Sequence, residues 1–258
     1  MKPIVIKIGG STIGNHDTSL DDLVLLQKKN IPVVVVHGGA KTVTNWSSRL
    51  GISTRIIDGL RVTDIDTLQV VTAVLAGLIN KELVSKLWKL GGKAIGLSGV
   101  DGDMIKAKNI TPELEYTGEE LYIDISILKL LLEEGYIPVI APICLGLYEE
   151  SKSTNLINVN ADTVAAEIAA ALNAEKLIFL TDVPGLYDKD KKIINQISII
   201  DAGKLVDSGR VSGGMVAKIK ACLDALAKVQ TTRIIDGRIP HALQNEIEGK
   251  EGGTTIAR

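Results

Sequence analysis

Along the chain, short runs of aliphatic and β-branched residues alternate with longer stretches in which apolar side chains recur every three or four positions. Residues 3–8, 32–36, 94–97, 137–141, 176–180 and 232–235 predict strands. Residues 20–29, 41–50, 65–90, 125–134, 161–172 and 216–229 predict helices, several with one polar face. Alternation of this kind specifies a parallel sheet sandwiched by helices. Thr63 and Asp64 are candidate caps for the long helix, and Asn160 or Asp162 for the helix that enters Ala165-Ala166. Around 104–123 the pattern breaks into short strands separated by Pro112, Gly118 and charged residues, a hairpin insertion that covers a site or forms an edge. No Pro/Ser-rich linker and no long repeat divides the chain, so any lobes share one continuous sheet, with the functional seam expected near residue 175.

Composition narrows the class of partner. With 258 residues, 45% hydrophobic content and a formal charge of −2, the chain can bury a large core and lacks the signature of disorder. Near-neutral charge argues against a nucleic-acid binder, and Lys28-Lys29 and Lys191-Lys192 read as solvated surface. Cys144 and Cys222 lie far apart without metal-ligand spacing, which suits a reducing compartment and two small packing residues. No signal-like apolar stretch follows Lys2, and no run approaches the roughly 20 uninterrupted apolar residues of a membrane span. The expectation is a cytoplasmic protein acting on a small molecule, with no nucleic acid and no membrane as partner.

Two of the predicted strands open into glycine turns: Lys7-Ile8-Gly9-Gly10-Ser11 after Ile4-Val5-Ile6, and His37-Gly38-Gly39-Ala40 after the valine run 33–36. Glycine lets backbone N–H groups approach a ligand closely, a following helix start adds partial positive charge, and Lys7 adds a full one, so the two turns describe an anion site. Thr181-Asp182-Val183-Pro184-Gly185-Leu186-Tyr187 and Ser212-Gly213-Gly214-Met215 also sit between strand-like and helix-like segments. Ligands of open α/β sheets gather at such strand ends.

Each candidate also has a plainer reading. Asn158-Val159-Asn160-Ala161-Asp162 precedes an alanine-rich helix; capping explains Asn160 fully, but does not need two Asn and an Asp together. Lys218 stands about one turn into a helix that starts at a glycine pair, and is either a ligand cation or a surface residue like Lys220 and Lys228. Arg61, in Gly59-Leu60-Arg61-Val62-Thr63, either pairs with a nearby acid or holds a substrate carboxylate in its fork. His37 at a strand end reads as a loop-bonding residue before a general base. Gly99-Val100-Asp101-Gly102-Asp103 lacks the remaining ligands of a calcium loop and reads as a tight turn; no metal site is expected of this chain's own residues. There is no G-x-x-x-x-G-K-[ST] loop, no protein-kinase H-R-D or D-F-G set, and no G-x-G-x-x-G opening the first helix.

Taken together and in order, Lys7 to Gly10, His37 to Gly39, Gly59 to Thr63, Asn158 to Asp162, Thr181 to Leu186 and Gly213 to Lys218 resemble the amino acid kinase family over nearly the full length. Gly59 to Thr63, Gly96-Leu97-Ser98-Gly99 with Asp101-Gly102, and the Asn158 block resemble the members that phosphorylate N-acetyl-L-glutamate. That likeness implies an open αβα sandwich with a mainly parallel central sheet. A single domain, 1–258, would comprise a lobe 1–174 for the acyl amino acid and dimer contacts and a lobe 175–258 for ATP. It implies Lys7 and Lys218 flanking the phosphoryl in flight, Asp162 orienting both, and Gly9 and Gly10 amides beside it. Gly38, Gly39, Arg61 and Asn158 would hold the acyl amino acid. Thr181, Asp182, Val183, Gly185, Leu186 and Tyr187 with Ser212, Gly213, Gly214 and Met215 would line the ATP site, Mg²⁺ arriving with the nucleotide.

Ala40 stands where many members carry a third glycine. The first predicted strand begins close to Met1, so the extra N-terminal helix of arginine-inhibited hexameric members is not expected, and a homodimer insensitive to arginine is. A nitrogen-signalling protein partner is possible for the family, with nothing in this sequence to support one. Rival readings are a kinase for carrier-protein-linked glutamate or aminoadipate, and a non-catalytic amino-acid or nucleotide sensor on the same fold.

Overall fold

The computed structural model describes residues 2–9, 18–57, 59–148, 152–250 and 252–258; Gly10, one of the expected phosphoryl contacts, lies outside them. In chain order the elements begin β1 (Ile4–Ile8), α1 (Ser19–Lys28), β2 (Val33–His37), α2 (Ala40–Arg49), β3 (Ile56–Ile57), β4 (Leu60–Arg61) and α3 (Ile65–Thr72). A π-helical stretch, Ala73–Ile79, carries α3 without a break into α4 (Asn80–Lys89). Then follow β5 (Ala94–Ser98), β6 (Ile105–Asn109), β7 (Thr117–Ile123), α5 (Ser126–Glu133), β8 (Ile137–Ala141), β9 (Ile143–Leu147) and β10 (Leu156–Val159). The chain continues through α6 (Ala161–Ala171), β11 (Lys176–Thr181), β12 (Gln196–Ser198), α7 (Ile199–Asp207), α8 (Gly214–Ala225), β13 (Thr231–Asp236), α9 (Ala242–Ile247) and β14 (Thr254–Ala257).

Eight strands form one continuous sheet in the order β12-β14-β13-β11-β1-β2-β8-β5. From β13 to β5 all neighbours are parallel, whereas β14 lies antiparallel to β13 and carries β12 beside it. All residues of β1, β2 and β8 are buried, as strands covered on both faces require. Alternation along β1 sorts the layers: Ile4, Ile6 and Ile8 join a core with α1, α3 and α4, and Val5 joins one with α6, α7 and α8. Lys7 therefore points to the α6 face, at the carboxyl end of the central strand.

The predicted hairpin insertion is real, but it is not free-standing. β6 and β7 pair antiparallel with a register shift at Ala107/Lys108, and with β9 and β10 they close a four-stranded barrel. Its β7–β10 seam sets Thr117 opposite Asn158, so the insertion forms a wall of the site. The helix predicted over 65–90 is continuous yet not uniform: the π stretch shifts its register so that Asn80 enters the core. Ile65–Lys89 is the one helix among the described residues long and apolar enough by composition to cross a membrane. Half of its most apolar window is buried in the fold. Cys144 and Cys222 are both buried packing residues.

Candidate active site

Asn160 caps α6 by accepting a hydrogen bond from the Asp162 N–H at 2.8 Å. Capping is thus satisfied by Asn160, and the Asp162 carboxylate is left for other partners. Lys7 Nζ lies 2.8 Å from Asp162 Oδ1, and Lys218 Nζ donates to Oδ2 at 3.2 Å. One buried carboxylate therefore bridges two ammonium groups from β1 and α8. Burial lowers the Lys7 ammonium from its ordinary value, Asp162 opposing and Lys218 reinforcing. Burial alone would raise the Asp162 carboxyl, but Lys7 and Lys218 outweigh it and hold it below the usual carboxylate range. The net charge of the trio is positive, which a neighbouring anion would neutralise.

Gly9 and the Gly38-Gly39 turn follow β1 and β2 beside it. Gly9 N–H donates to Leu180 O and Gly38 N–H to Ile8 O, continuing the sheet's ladder past the strand ends; contrary to the sequence expectation, these two amides are spent within the sheet and are not free donors for a ligand. Gly39 caps α2, and a side chain there would meet the tips of Ile79 and Leu75 of the π stretch, which pack closely over the turn. His37 is buried beneath the turn. Its Nδ1 faces Gly38 O at 3.0 Å and its Nε2 faces Asn80 Nδ2 at 3.2 Å. Burial, with Lys7 and Lys81 nearby, pushes its pKa down to about 4, so the imidazole is neutral at pH 7, Nδ1–H donating and Nε2 accepting.

A cavity of about 270 Å³ opens between these groups, lined by Lys7, Gly38, Gly39, Arg61, Asn158 and Asp162, with Val43 and Leu75 among its apolar neighbours. The β3–β4 hairpin brings Arg61 over it. Among the described residues Arg61 has no carboxylate partner; it donates to Thr54 Oγ1 at 3.1 Å and Thr44 Oγ1 at 2.9 Å, and lies 3.4 Å from Ala40 O. Burial lowers its pKa with no compensating acid, the setting of a cation awaiting an anionic partner. A larger hollow of about 700 Å³ lies at the opposite, amino ends of β1, β2 and β8, remote from these charges.

The second group of predicted residues occupies the carboxyl ends of β11 and β13. Thr181 is buried, and its hydroxyl accepts from Val183 N–H at 3.1 Å and donates to Val183 O, shaping the loop. Gly185 and Leu186 face inward, Leu186 N–H donating to Thr254 Oγ1 at 2.8 Å, whereas Asp182 and Tyr187 are exposed. Ser212, Gly213 and Gly214 are exposed at the start of α8, Met215 half-buried; Gly213 combines φ 57° with ψ −137°, a pair of angles that only glycine adopts readily.

Several positions stand in the site that the sequence reading did not assign to it. Asn80 reaches His37, Leu97 O and Val139 O from the π register, which periodicity cannot reveal. Thr63, read as a cap, is fully buried against Thr117 and Asn158, while Asp64 is the actual cap and accepts from Thr67 N–H. Asp236 holds Arg238 in a two-pronged pair, 2.9 Å to Nε and 2.7 Å to Nη2, next to the β11 loop. Polar Asp-Gly-Arg after a strand predicted to be parallel was the available signal.

The amino acid kinase family profile matches residues 2–236. The acetylglutamate kinase of Dehalococcoides mccartyi is 44% identical over 254 residues, covering 98% of this chain and 93% of that protein. That of Caldicellulosiruptor bescii is 44% identical over 269 residues, covering 99% and 90%. Among solved structures, a Streptococcus mutans protein superposes with a TM-score of 0.84 at 26% identity, covering 98% of each chain. N-acetylglutamate synthase from Neisseria gonorrhoeae superposes with a TM-score of 0.86 at 24% identity, over all of this chain and 59% of that one, a likeness of fold. With its two glycine turns, its bridged lysines and this extent of similarity, the chain belongs to the amino acid kinase family.

Proposed function

We propose that this protein transfers the γ-phosphoryl group of ATP to the side-chain carboxylate of N-acetyl-L-glutamate, giving N-acetyl-L-glutamyl 5-phosphate and ADP, a step of arginine biosynthesis. The carrying observation is Asp162 bridging Lys7 and Lys218 at the wall of a cavity that Arg61 overlooks. A carboxylate nucleophile is already ionised at neutral pH, so the reaction asks for no strong base. It asks for relief of repulsion between that carboxylate and a triphosphate.

In this reading the side-chain carboxylate lies against the Gly38–Gly39 turn and Arg61 takes the α-carboxylate in its fork. Lys7 and Lys218 flank the phosphoryl as charge spreads over its oxygens, and Asp162 fixes both ammoniums in place before substrate arrives, so little reorganisation remains at the transition state. Asp182, Tyr187 and the Ser212–Met215 turn border the nucleotide. Both Asp162 oxygens are engaged by lysines. Among the described residues no cluster of carboxylates and imidazoles could hold a metal ion, and in this reading magnesium enters as part of the MgATP substrate. The protein works as a cytoplasmic homodimer.

The test is ATP-dependent turnover of N-acetyl-L-glutamate, free glutamate, carbamate and uridylate, any acyl phosphate being trapped with hydroxylamine. Hydroxamate from N-acetyl-L-glutamate is expected, and turnover of uridylate alone would reject the reading. A carrier-linked acyl glutamate in the same panel separates the nearest rival, and no turnover of any acceptor would favour a sensor.

A further inference from the structure

Two buried hydroxyls, Thr117 in the cavity wall and Thr63 behind it, join its two polar sides. Thr63 and Thr117 are 0% and 2% exposed. Thr117 Oγ1 donates to Arg61 O at 2.7 Å, Thr63 Oγ1 lies 3.1 Å from the same carbonyl, and the two hydroxyl oxygens are 2.9 Å apart. Asn158 Nδ2 donates to Thr63 Oγ1 at 3.2 Å. These contacts unite the hairpin that carries Arg61, the barrel strand that carries Thr117 and the strand that carries Asn158.

Proton counting fixes the Asn158 amide. Three oxygen–oxygen contacts among Thr63, Thr117 and Arg61 O share only two hydroxyl protons, because the carbonyl has none to give. Asn158 must therefore meet Thr63 as a donor. Turning the amide over would draw the Thr63 proton away and leave two of the contacts between buried oxygens without hydrogen, a costly arrangement out of water. With Nδ2 committed to Thr63, Oδ1 has no protein partner among the described residues, and Asn158 lines the cavity.

We infer that Thr63 and Thr117 are positioning residues that present Asn158 Oδ1 to the substrate as a fixed acceptor, so that the site selects an acyl group joined through N–H over one joined through an ester oxygen. The inference rests on the proposed acceptor substrate. An ester oxygen opposite Oδ1 sets two acceptors together and leaves a buried lone pair unmatched, whereas an amide N–H completes it.

The experiment compares N-acetyl-L-glutamate with its ester isostere, 2-acetoxyglutarate, in the wild type and in Thr63→Val, Thr63→Ala and Thr63→Ser. Wild-type turnover of N-acetyl-L-glutamate tests the proposed function by itself, and the amide-to-ester ratio of kcat/KM tests this inference. The wild-type ratio is expected at roughly 10- to 100-fold in favour of the amide. Thr63→Val, free to let Asn158 turn, should shrink the ratio several-fold with the KM for ATP unchanged, and Thr63→Ser should restore it; Thr63→Ala gives the same reading if the valine variant does not fold. A wild-type ratio near one, or a ratio kept by folded Thr63→Val or Thr63→Ala, would overturn the inference.

Discussion

Lys218 Nζ meets Asp162 Oδ2 at 3.2 Å across the contact of α8 with α6. The other carboxylate oxygen meets Lys7, so the two lysines differ in what their loss does. Removing Lys218 leaves Asp162 paired with Lys7. Its replacement by alanine should lower kcat by about 100- to 1,000-fold, the range for one well-placed transition-state donor, with thermal unfolding near that of the wild type. Removing the carboxylate instead strands two cations out of water. Asp162→Ala should therefore lose activity and also about 3–5 kcal/mol of stability, as breaking a buried pair from one side does. Urea denaturation of the two variants separates these outcomes; equal stability would contradict the bridging role.

Arg61 has a different signature. It contacts hydroxyls and a carbonyl of α2 and the preceding loop, not the bridged lysines. Arg61→Ala should raise the KM for N-acetyl-L-glutamate by about 10- to 100-fold, corresponding to loss of a charge-assisted pair, and leave the KM for ATP in place. Arg61→Lys should recover little, because an ammonium cannot reproduce the fork. A rise in the KM for ATP alone would move Arg61 to the nucleotide side.

The parts of this molecule that could be read from its sequence are those encoded locally. The valine run of β2 and the Ile4-Val5-Ile6 run mark buried strands, and glycine marks where the chain leaves them, at Gly9 and at Gly38-Gly39. Lys7, Asp162 and Lys218 were legible because each borders such a turn or helix start. What escaped depends on distance along the chain. Thr63 meets Thr117 54 residues away and Asn158 95 residues away, and no local pattern encodes either meeting. Asn80 owes its place to a π register that helical periodicity smooths over. β3 and β4 have two residues each and α9 has six, too few for any period to show.

Arg238 leads to a prediction on the nucleotide side. Asp236, at the end of β13, holds its guanidinium with both oxygens, and Asp182 and Tyr187 lie within electrostatic reach. A cation so ordered at the carboxyl ends of β11 and β13 faces the loop proposed to border ATP. Arg238→Ala should raise the KM for ATP several-fold and spare that for N-acetyl-L-glutamate. Asp236→Asn should give a smaller change of the same kind, since it loosens the guanidinium without deleting it. Initial-rate kinetics with each substrate varied in turn decide this, and an unchanged KM for ATP in Arg238→Ala removes the residue from the site.

His37 sets a pH dependence of stability whose sign can be worked out. In the unfolded chain its pKa is the ordinary 6.5, and in the fold it is pushed down to about 4, chiefly by burial. Above pH 6.5 the ring is neutral in both states and contributes no pH dependence. As the pH falls from 6.5 toward 4 the unfolded chain takes up a proton that the folded one refuses, so stability drops by up to about 1.4 kcal/mol per pH unit, roughly 3 kcal/mol in all. The refusal has a structural cause. A protonated ring would turn its Nε2 acceptor into a donor facing the Asn80 amide, itself a donor, next to the Lys7 charge. Asp162 acts lower on the scale: its depressed carboxyl contributes stability above its unfolded value near 4, lost as the pH falls through the folded value. Urea midpoints between pH 7 and 4 should therefore decline in the wild type and stay flatter in His37→Gln, which keeps one donor and one acceptor without a titrating ring. If the two proteins decline in parallel over pH 6.5 to 4.5, the loss belongs to other groups.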